Sequence, residues 1–345
     1  MVQQPQRKGI FMGIVAYLIW GLSAVYWKQL VKVPAMQLLC HRIVWALPVV
    51  AAVILVTGHG PNGSFRSFLA SFKRTVVGFY AATATLLGVN LFVSIWAANA
   101  GFIVELSLGY FTSPLVTVLL GVLCLRERLR MWQWVAIATA GSGLLTVTFV
   151  YGKFPWIAIV LAMDFGLYGL LQKKAPLLSV QGICIEFAIL TLPSATYLVF
   201  EQYQGTGAFT TISVGYDVLM VGLGVLTITP QLLFSTAIKA IPLTVMGLLQ
   251  FIGPTLNILI GVVIYHENFE WTKAIGFAQV WLGLVVYTYD LLRRGAKNES
   301  SAVIIDPTTA TRPTITSAAD IVSLAKGDTS SSGDHLVDSA TENKM

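Results

Sequence analysis

Four ionisable side chains interrupt long apolar segments and are the first candidates for chemistry: Arg42, Glu105, Asp164 and Glu186. A charge at the centre of a bilayer costs about 2.5–3.5 kcal/mol on insertion scales, so such residues commonly serve a function. The guanidinium of Arg42 stays protonated and could hold an anionic group of a substrate. Alternatively, Arg42 neutralises Glu105 or Glu186 in a structural ion pair.

The acidic residues indicate proton exchange rather than catalysis. Desolvation disfavours the charged form of a carboxyl group, so Glu105 and Glu186 are candidates for coupling transport to protons. Asp164 is either a specialisation of this chain or a protonated acid hydrogen-bonded within a helical bundle. The sequence contains no HExxH, GxSxG or Walker motif, and its three cysteines show no metal-ligand spacing. We therefore predict no enzyme, no catalytic residue, no metal site and no cofactor.

Neutral polar residues and prolines share one face of each of two apolar segments. The later segment carries Gln250, Pro254 and Asn257 at i, i+4 and i+7. The corresponding face of the earlier segment carries Tyr110, Pro114 and Thr117. A proline inside a helix removes a backbone hydrogen bond and kinks the helix. These faces therefore either line a polar cavity or pack helices together through ordinary interhelical hydrogen bonds.

Three further features extend the candidate path. A polar stretch with Thr227, Pro230 and Gln231 lies in another apolar segment, beside a helix breaker. Asn90 could bond either a substrate or a neighbouring helix. Trp20 belongs to a stripe at helical spacing, formed by Tyr17, Trp20, Ala24 and Trp27. This stripe either stacks on a flat or cationic substrate or serves as core packing with an interfacial anchor.

The composition shows what must position these residues. Of 345 residues, 56% are hydrophobic and only 11% are charged, and the mean hydropathy is +0.74. Soluble globular chains carry about 25% charged residues, so a soluble fold is excluded. A helix needs about 20 apolar residues to cross the hydrocarbon. Ten runs satisfy this: residues 9–29, 35–56, 75–97, 102–124, 132–151, 154–172, 181–200, 215–238, 243–264 and 273–292.

The basic residues predict the orientation of these spans. Lys and Arg are retained on the cytoplasmic side of a membrane, and most of them fall in alternate loops that share the side of the N-terminus. Both termini are therefore predicted to be cytoplasmic, with the plasma membrane as the expected location.

Residues 1–8 form the N-terminal segment. Residues 293–345, rich in Ser, Thr and Asp, are predicted to be a disordered tail. A short interfacial helix is predicted around Phe65, Phe68 and Phe72.

The sequence also contains an internal repeat. Residues around Pro114, Gly121 and Glu127 recur around Pro254, Gly261 and Glu267 at a constant separation of 140. The predicted units are a first repeat at 9–151 and a second at 154–292, with five helices each. Because five is an odd number, the second repeat must cross the membrane in the opposite sense. The predicted fold class is therefore all-α integral membrane, with ten transmembrane helices in two inverted five-helix repeats.

Several runs resemble one transporter family. They are GIVAYLIWGLSAVYWK (13–28), HRIVW (41–45), ELSLGYFTSPL (105–115), RERL (126–129), FGLYGLLQKK (165–174) and LLQFIGPTLNILIGV (248–262). In collinear order they are similar to the RarD branch of EamA-type transporters, in the drug/metabolite transporter superfamily. The resemblance implies ten helices, an inverted repeat and the export or other transport of small molecules. It implies no particular substrate.

The resulting hypothesis is a secondary active transporter. It would export small metabolites or drug-like molecules by alternating access, with proton coupling as an option, and a channel-like or facilitative permease is the alternative. The expected partners are a small-molecule substrate and the lipid bilayer. Nucleic acid is excluded as a partner, because the basic residues are scattered among short membrane loops. The oligomeric state stays open between monomer and homodimer.

Overall fold

The computed structural model of the chain describes residues 4–57 and 73–266, together with 278–279, 281–283, 285–286 and 289. Within these ranges the regular structure is entirely helical. The helices are α1 (Gln4–Gln29), α2 (Ala35–Val44), α3 (Ala46–Thr57), α4 (Arg74–Asn99), α5 (Ile103–Leu125), α6 (Met131–Tyr151), α7 (Trp156–Lys174), α8 (Ser179–Tyr203), α9 (Val214–Ala240), α10 (Leu243–Leu249) and α11 (Ile252–Leu259), and a π-helical segment follows at Ile260–Ile264.

In the part of the chain that the structure describes, eight helical stretches are long and apolar enough to cross a membrane. They are Pro5–Gln29, Ala35–Thr57, Arg74–Asn99, Ile103–Leu125, Trp156–Lys174, Ser179–Tyr203, Val214–Ala240 and Leu243–Ile264. Each coincides with one predicted run, which confirms the all-helical architecture for the described residues. The predicted run at 132–151 forms the 21-residue helix α6. The run at 273–292, the interfacial helix and the tail lie wholly or mostly outside the described residues, so ten inverted spans stay a prediction.

Two of the spans are interrupted near their middles. The second span stops at Val44 and resumes at Ala46, with Trp45 between α2 and α3. Pro48 explains this break, because it cannot donate a hydrogen bond to the carbonyl of Val44, four residues earlier, and its ring crowds that carbonyl. The helix is therefore interrupted close to Arg42.

The other break divides the ninth predicted run. Helix α10 ends at Leu249 and α11 begins at Ile252. Pro254 lies four residues after Gln250 and cannot donate a hydrogen bond to the Gln250 carbonyl, which explains this break. Pro114 and Pro230, in contrast, lie inside α5 and α9, which continue on both sides of them.

The break at Trp45 is packed tightly against α9. A Cβ atom added to Gly224 would collide with the carbonyl oxygen and carbon of Trp45. Only glycine lets the two backbones approach this closely, which explains a glycine inside a helix where it costs about 0.8–1.0 kcal/mol relative to alanine. Gly224 therefore sets the position of α9 against the α2–α3 break.

Helix contacts follow a pattern that repeats between the two halves of the chain. Helix α1 packs on α9 and α11, and α7, its counterpart in the second half, packs on α4 and α5. Helices α2 and α8 contact each other, as do α5 and α10. Arg126 and His266, separated by 140 positions, both follow the end of their span with left-handed backbone, at φ values of 55° and 52°. The two halves thus use matching helix pairs and matching helix ends.

Helix α10 begins against a carboxylate from the first half. Glu127 accepts hydrogen bonds from the backbone nitrogens of Leu243 at 2.7 Å and Thr244 at 2.8 Å. The first N–H groups of a helix have no partner within the helix, and an acidic group there also interacts favourably with the helix dipole. Glu127 therefore fixes the start of α10 to the end of α5.

Candidate functional site

A cavity of about 340 Å³ lies among helices of both halves of the chain. Its lining residues on α1 run from Tyr17 to Trp27, so the cavity occupies the part of the bundle toward the end of α1. Ligand pockets typically measure about 300–1,000 Å³, which places this cavity in the range for a small metabolite. The lining comprises Tyr17, Trp20, Ser23, Ala24, Trp27, Arg42, Leu87, Asn90, Leu91, Tyr110, Ser113, Leu161, Phe165, Phe187, Thr227, Gln231, Gln250, Gly253, Pro254 and Asn257.

Aromatic side chains of α1 form one wall of the cavity. The ring centroids of Tyr17 and Trp20 are 5.4 Å apart, and Trp20 lies 5.5 Å from Phe234. Tyr17 meets Phe234 edge-on at 6.2 Å. These separations fall within the 4.5–7 Å of favourable aromatic pairs. All four members of the predicted stripe, including Ala24 and Trp27, line the cavity. Tyr17 and Trp20 also pack against Phe234 of α9.

Arg42 brings a positive charge to the cavity. It lies in the last turn of α2, one turn before the break at Trp45. The guanidinium carbon stands 5.2 Å from the ring centroid of Trp27, within the roughly 6 Å of a cation–π contact. Its Nε atom is buried and has no hydrogen-bond partner among the described residues. The ion pairs predicted with Glu105 or Glu186 are absent there, because both carboxyl groups bond to other partners.

Amide side chains supply most of the neutral polar lining. Gln250, next to the α10–α11 break, accepts a hydrogen bond from Thr117 at 3.2 Å. Asn90 donates to the carbonyl oxygen of Leu161 at 3.4 Å. Gln231 donates from Nε2 to the hydroxyl of Tyr168. Each amide is thus oriented by a neighbouring helix, so the lining is arranged before a ligand binds.

Glu186 is the centre of a buried polar cluster beside the cavity. Its side chain is 0% exposed, and it accepts from Thr83 at 2.5 Å, Gln172 at 2.7 Å and Tyr168 at 3.0 Å. The hydroxyl of Tyr168 also accepts from Gln172 and from Gln231. Because Gln231 lines the cavity, the chain Gln231–Tyr168–Glu186 connects the cavity to a carboxyl group that does not itself line it.

Glu105 occupies a different environment from Glu186. It is 3% exposed and does not line the cavity. Its carboxyl group accepts from the hydroxyl of Tyr151 at 2.8 Å and from the backbone nitrogen of Ile157 at 3.2 Å. Ile157 is in the first turn of α7, so Glu105 holds the start of that helix, as Glu127 holds the start of α10.

Asp164 and Thr117 also lie behind the cavity lining. Asp164 is 7% exposed, and its Oδ2 atom has no hydrogen-bond partner among the described residues. Thr117 is 3% exposed and reaches the cavity only through its bond to Gln250. The other predicted path residues line the cavity: Trp20, Arg42, Asn90, Tyr110, Thr227, Gln231, Gln250 and Asn257, with Pro254 beside them.

Some of the site was not predicted. Phe165, Phe187 and Ser113 line the cavity, and Thr83 and Gln172 bind Glu186. The aromatic and apolar residues carry no signal that separates them from core packing. Gln172 does carry one, since an amide inside an apolar helix needs a hydrogen-bond partner.

Two lysines join α7 and α9 at the end of the bundle where α1 begins. Lys173 donates to the carbonyl oxygens of Ile238 at 3.0 Å and Ile241 at 2.5 Å. Lys239 donates to the carbonyl oxygen of Leu177 at 2.5 Å. A cation at a helix C-terminus also interacts favourably with the helix dipole. These bonds link the two helices at the end opposite to the aromatic wall.

The EamA-like transporter family matches residues 7–149. Protein RarD of Streptomyces exfoliatus is 35% identical over 311 residues, which cover 90% of this chain and 98% of that protein. The uncharacterized transporter YojE of Bacillus subtilis strain 168 is 38% identical over 296 residues, covering 85% and 97%. Protein RarD of Escherichia coli strain K12 is 33% identical over 294 residues, covering 85% and 97%.

A solved crystal structure shares the fold. It superposes with a TM-score of 0.62 over 82% of this chain and 98% of the other, at 20% sequence identity. Apolar helices around a cavity with aromatic and polar lining, together with these relatives, define a multi-pass integral membrane transporter. More specifically, the chain belongs to the EamA-like transporter family and to its RarD-type members among the drug/metabolite transporters.

Proposed function

We propose that this protein is a secondary active transporter that exports small metabolites or drug-like molecules across the plasma membrane by alternating access. The observation that carries the proposal is the cavity of about 340 Å³ formed by helices of both halves. Substrate sites of secondary transporters lie where two structural repeats meet. The cavity would be the substrate site, with Arg42 as the group that holds substrate charge.

The proposed architecture is two inverted repeats of five helices. Helix α1 contacts α9 and α11, and its counterpart α7 contacts the equivalent helices α4 and α5. These matching contacts support a two-fold axis that relates the two halves. The left-handed residues Arg126 and His266 at equivalent helix ends support the same relation. Rocking of one repeat against the other would open the cavity alternately to the two sides.

The proposed orientation has both termini in the cytoplasm. The end of α1 then faces the outside, and the aromatic wall and Arg42 lie toward that side. Lys173 and Lys239 would hold the cytoplasmic end closed through their bonds to carbonyl oxygens of the opposite segment. In this arrangement the cavity would lie toward the outside, the side on which an exporter releases its substrate.

The surroundings of Glu186 support proton coupling. The single hydroxyl hydrogen of Thr83 has two acceptors within reach, Glu186 at 2.5 Å and the carbonyl oxygen of Tyr80 at 3.1 Å. When Glu186 is ionised, Thr83 donates to it, and the distance is typical of an O–H···O⁻ bond. When Glu186 is protonated, it can donate to Thr83, which then donates to Tyr80. The site can therefore hold or release one proton without leaving Thr83 unpaired.

The titratable groups facing Glu186 come from three helices. Tyr168 on α7 donates a hydrogen bond to Glu186. Lys239 on α9 and Tyr80 on α4 interact electrostatically with Glu186. Tyr168 is linked to the cavity through Gln231. A change in protonation of Glu186 would thus reach the cavity along hydrogen bonds that already exist.

A flux measurement in proteoliposomes tests the proposal. A panel of radiolabelled amino acids, organic acids and amphipathic amines is offered with and without a gradient of one pH unit, which corresponds to about 1.36 kcal/mol per proton. We expect at least one compound to accumulate about tenfold when one proton is exchanged per substrate. Glu186→Gln should abolish gradient-driven accumulation, and Arg42→Ala should reduce flux.

The matched control is Lys153→Gln, which removes an exposed charge outside the cavity. Equilibration without accumulation in the native protein would favour the facilitative permease. Unchanged flux and pH response in both Glu186→Gln and Arg42→Ala would remove the assignment of the site. No flux of any compound would contradict transport of these classes.

A further inference from the structure

We propose that the substrate is a small organic anion in which a carboxylate is joined to a flat apolar body. This inference rests on the proposed function, because it assumes that the cavity of about 340 Å³ is the transport site. It is carried by the sign of the charge, by two buried donors and by the aromatic surfaces of the lining.

The charge of the lining is positive. Within the described part of the chain, Arg42 is the only residue among the lining that carries a full charge, since neither Asp, Glu, Lys nor His is found there. Glu186 and Asp164 lie outside the lining, and Glu186 already accepts hydrogen bonds from Thr83, Gln172 and Tyr168. An anionic ligand would neutralise the charge of Arg42.

Two donors of the lining lack acceptors. The hydroxyl of Tyr17, whose side chain is 3% exposed, and Nε of Arg42 are both buried without a hydrogen-bond partner among the described residues. Buried donors are normally paired, and leaving one unpaired costs about 1–3 kcal/mol. A carboxylate only accepts hydrogen bonds, and the planar guanidinium matches its two oxygens in geometry. The missing partner of the Arg42 Nε–H is therefore an acceptor, and the Tyr17 hydroxyl can donate to the same kind of group.

The remaining walls suit a flat apolar body. Trp20, Trp27, Tyr110, Phe165 and Phe187 contribute aromatic surface to the lining. The Arg42 guanidinium carbon already lies over the Trp27 ring, 5.2 Å from its centroid, so an aromatic ring next to the carboxylate would extend this arrangement. The volume lies at the small end of the range for ligand pockets, which limits the body to about one or two rings.

The same lining disfavours three other ligand classes. An organic cation would bring its charge beside Arg42 without a carboxylate to offset the repulsion. A zwitterionic amino acid would satisfy Arg42 but place its ammonium group where the lining offers no acidic side chain among the described residues. A neutral amide would leave the Arg42 charge uncompensated. The predicted order of affinity is therefore carboxylate first, with amide, zwitterion and ammonium weaker.

The test uses four matched probes on the purified full-length protein: 3-phenylpropionate, 3-phenylpropanamide, 3-phenylpropylammonium and phenylalanine. Binding is followed by tryptophan fluorescence, because Trp20 and Trp27 line the cavity. We expect 3-phenylpropionate to bind most tightly. Arg42→Gln, which removes the charge, should weaken its binding roughly 10- to 100-fold, as for a lost hydrogen bond to a charged group. Lys153→Gln should leave binding unchanged.

Selectivity among the probes in the native protein keeps the test independent of variant folding. Equal or tighter binding of the amide, the ammonium compound or phenylalanine would overturn the substrate class. An unchanged affinity in a correctly folded Arg42→Gln protein would overturn the role of Arg42. Binding of none of the probes would likewise overturn the class. None of these results would contradict the proposed transport, which the flux assay tests with other compounds.

Discussion

Replacement of Glu186 by glutamine should destabilise the protein, although the two side chains have the same shape. In the structure three donors converge on the carboxyl group: Thr83 at 2.5 Å, Gln172 at 2.7 Å and Tyr168 at 3.0 Å. The Tyr168 hydroxyl already accepts from Gln172 and Gln231, so its hydrogen has Glu186 as its acceptor. An amide offers one oxygen in place of two.

Either orientation of the new amide produces a conflict. In one orientation the new amide nitrogen faces the Tyr168 hydroxyl, and both groups are donors. In the other orientation the new amide nitrogen faces Nε2 of Gln172, which is also a donor. A buried donor without an acceptor costs about 1–3 kcal/mol, so Glu186→Gln should lower the free energy of unfolding by that amount. The effect should appear in reversible unfolding in mixed detergent micelles, followed by circular dichroism.

A double-mutant cycle isolates the contact. Tyr168→Phe removes the opposing hydroxyl, so its cost should be smaller in the Glu186→Gln background than in the native protein. The coupling energy should exceed the roughly 0.5 kcal/mol within which independent sites add. Glu201→Gln, a partly exposed acid on the same helix, is the control and should show no coupling to Tyr168. Additivity of Glu186→Gln and Tyr168→Phe would refute the hydrogen-bond assignment.

Two further substitutions test how the helices are positioned. Gly224→Ala should destabilise the protein by about 1–3 kcal/mol, because the new Cβ overpacks against Trp45. The control is Gly141→Ala, where a new Cβ meets nothing within 4 Å, and it should be neutral or stabilising. Thermal unfolding compares the two variants, and equal unfolding midpoints would contradict the close approach of Gly224 and Trp45. Glu127→Gln should lower the unfolding temperature, because one acceptor of the α10 N–H groups is lost at a cost of about 1 kcal/mol. An unchanged unfolding temperature would show that this cap does not stabilise the fold.

The membrane spans could be predicted because the bilayer imposes a length and a composition on each helix. The break at Trp45 was not predicted, since the run around Pro48 is uniformly apolar and hydropathy does not register a lost backbone bond. The proline at 254 was noticed because Gln250 and Asn257 share its face. Helical spacing therefore found the broken helix whose polar face lines the cavity and missed the one that carries Arg42.

The functions of the acidic residues depend on contacts that sequence patterns do not contain. Thr83 lies 103 positions from Glu186, and the two meet because α4 packs on α8. Glu105 was proposed for proton coupling on its apolar surroundings, yet its carboxyl group holds the start of α7 at Ile157. The sequence pattern was the same for both acids. Only the helix packing distinguishes a residue connected to the cavity from one that fixes a helix end.

Cysteine accessibility tests most directly whether the two halves of the chain run through the membrane in opposite directions. In a variant whose Cys40, Cys124 and Cys184 are replaced by alanine, Arg128→Cys and His266→Cys are introduced one at a time; both positions are exposed and follow equivalent helices. A membrane-impermeant maleimide applied to intact cells should label position 266 and should label position 128 only after permeabilisation. Labelling of both positions from the same side would contradict the inverted repeat and the transport cycle built on it.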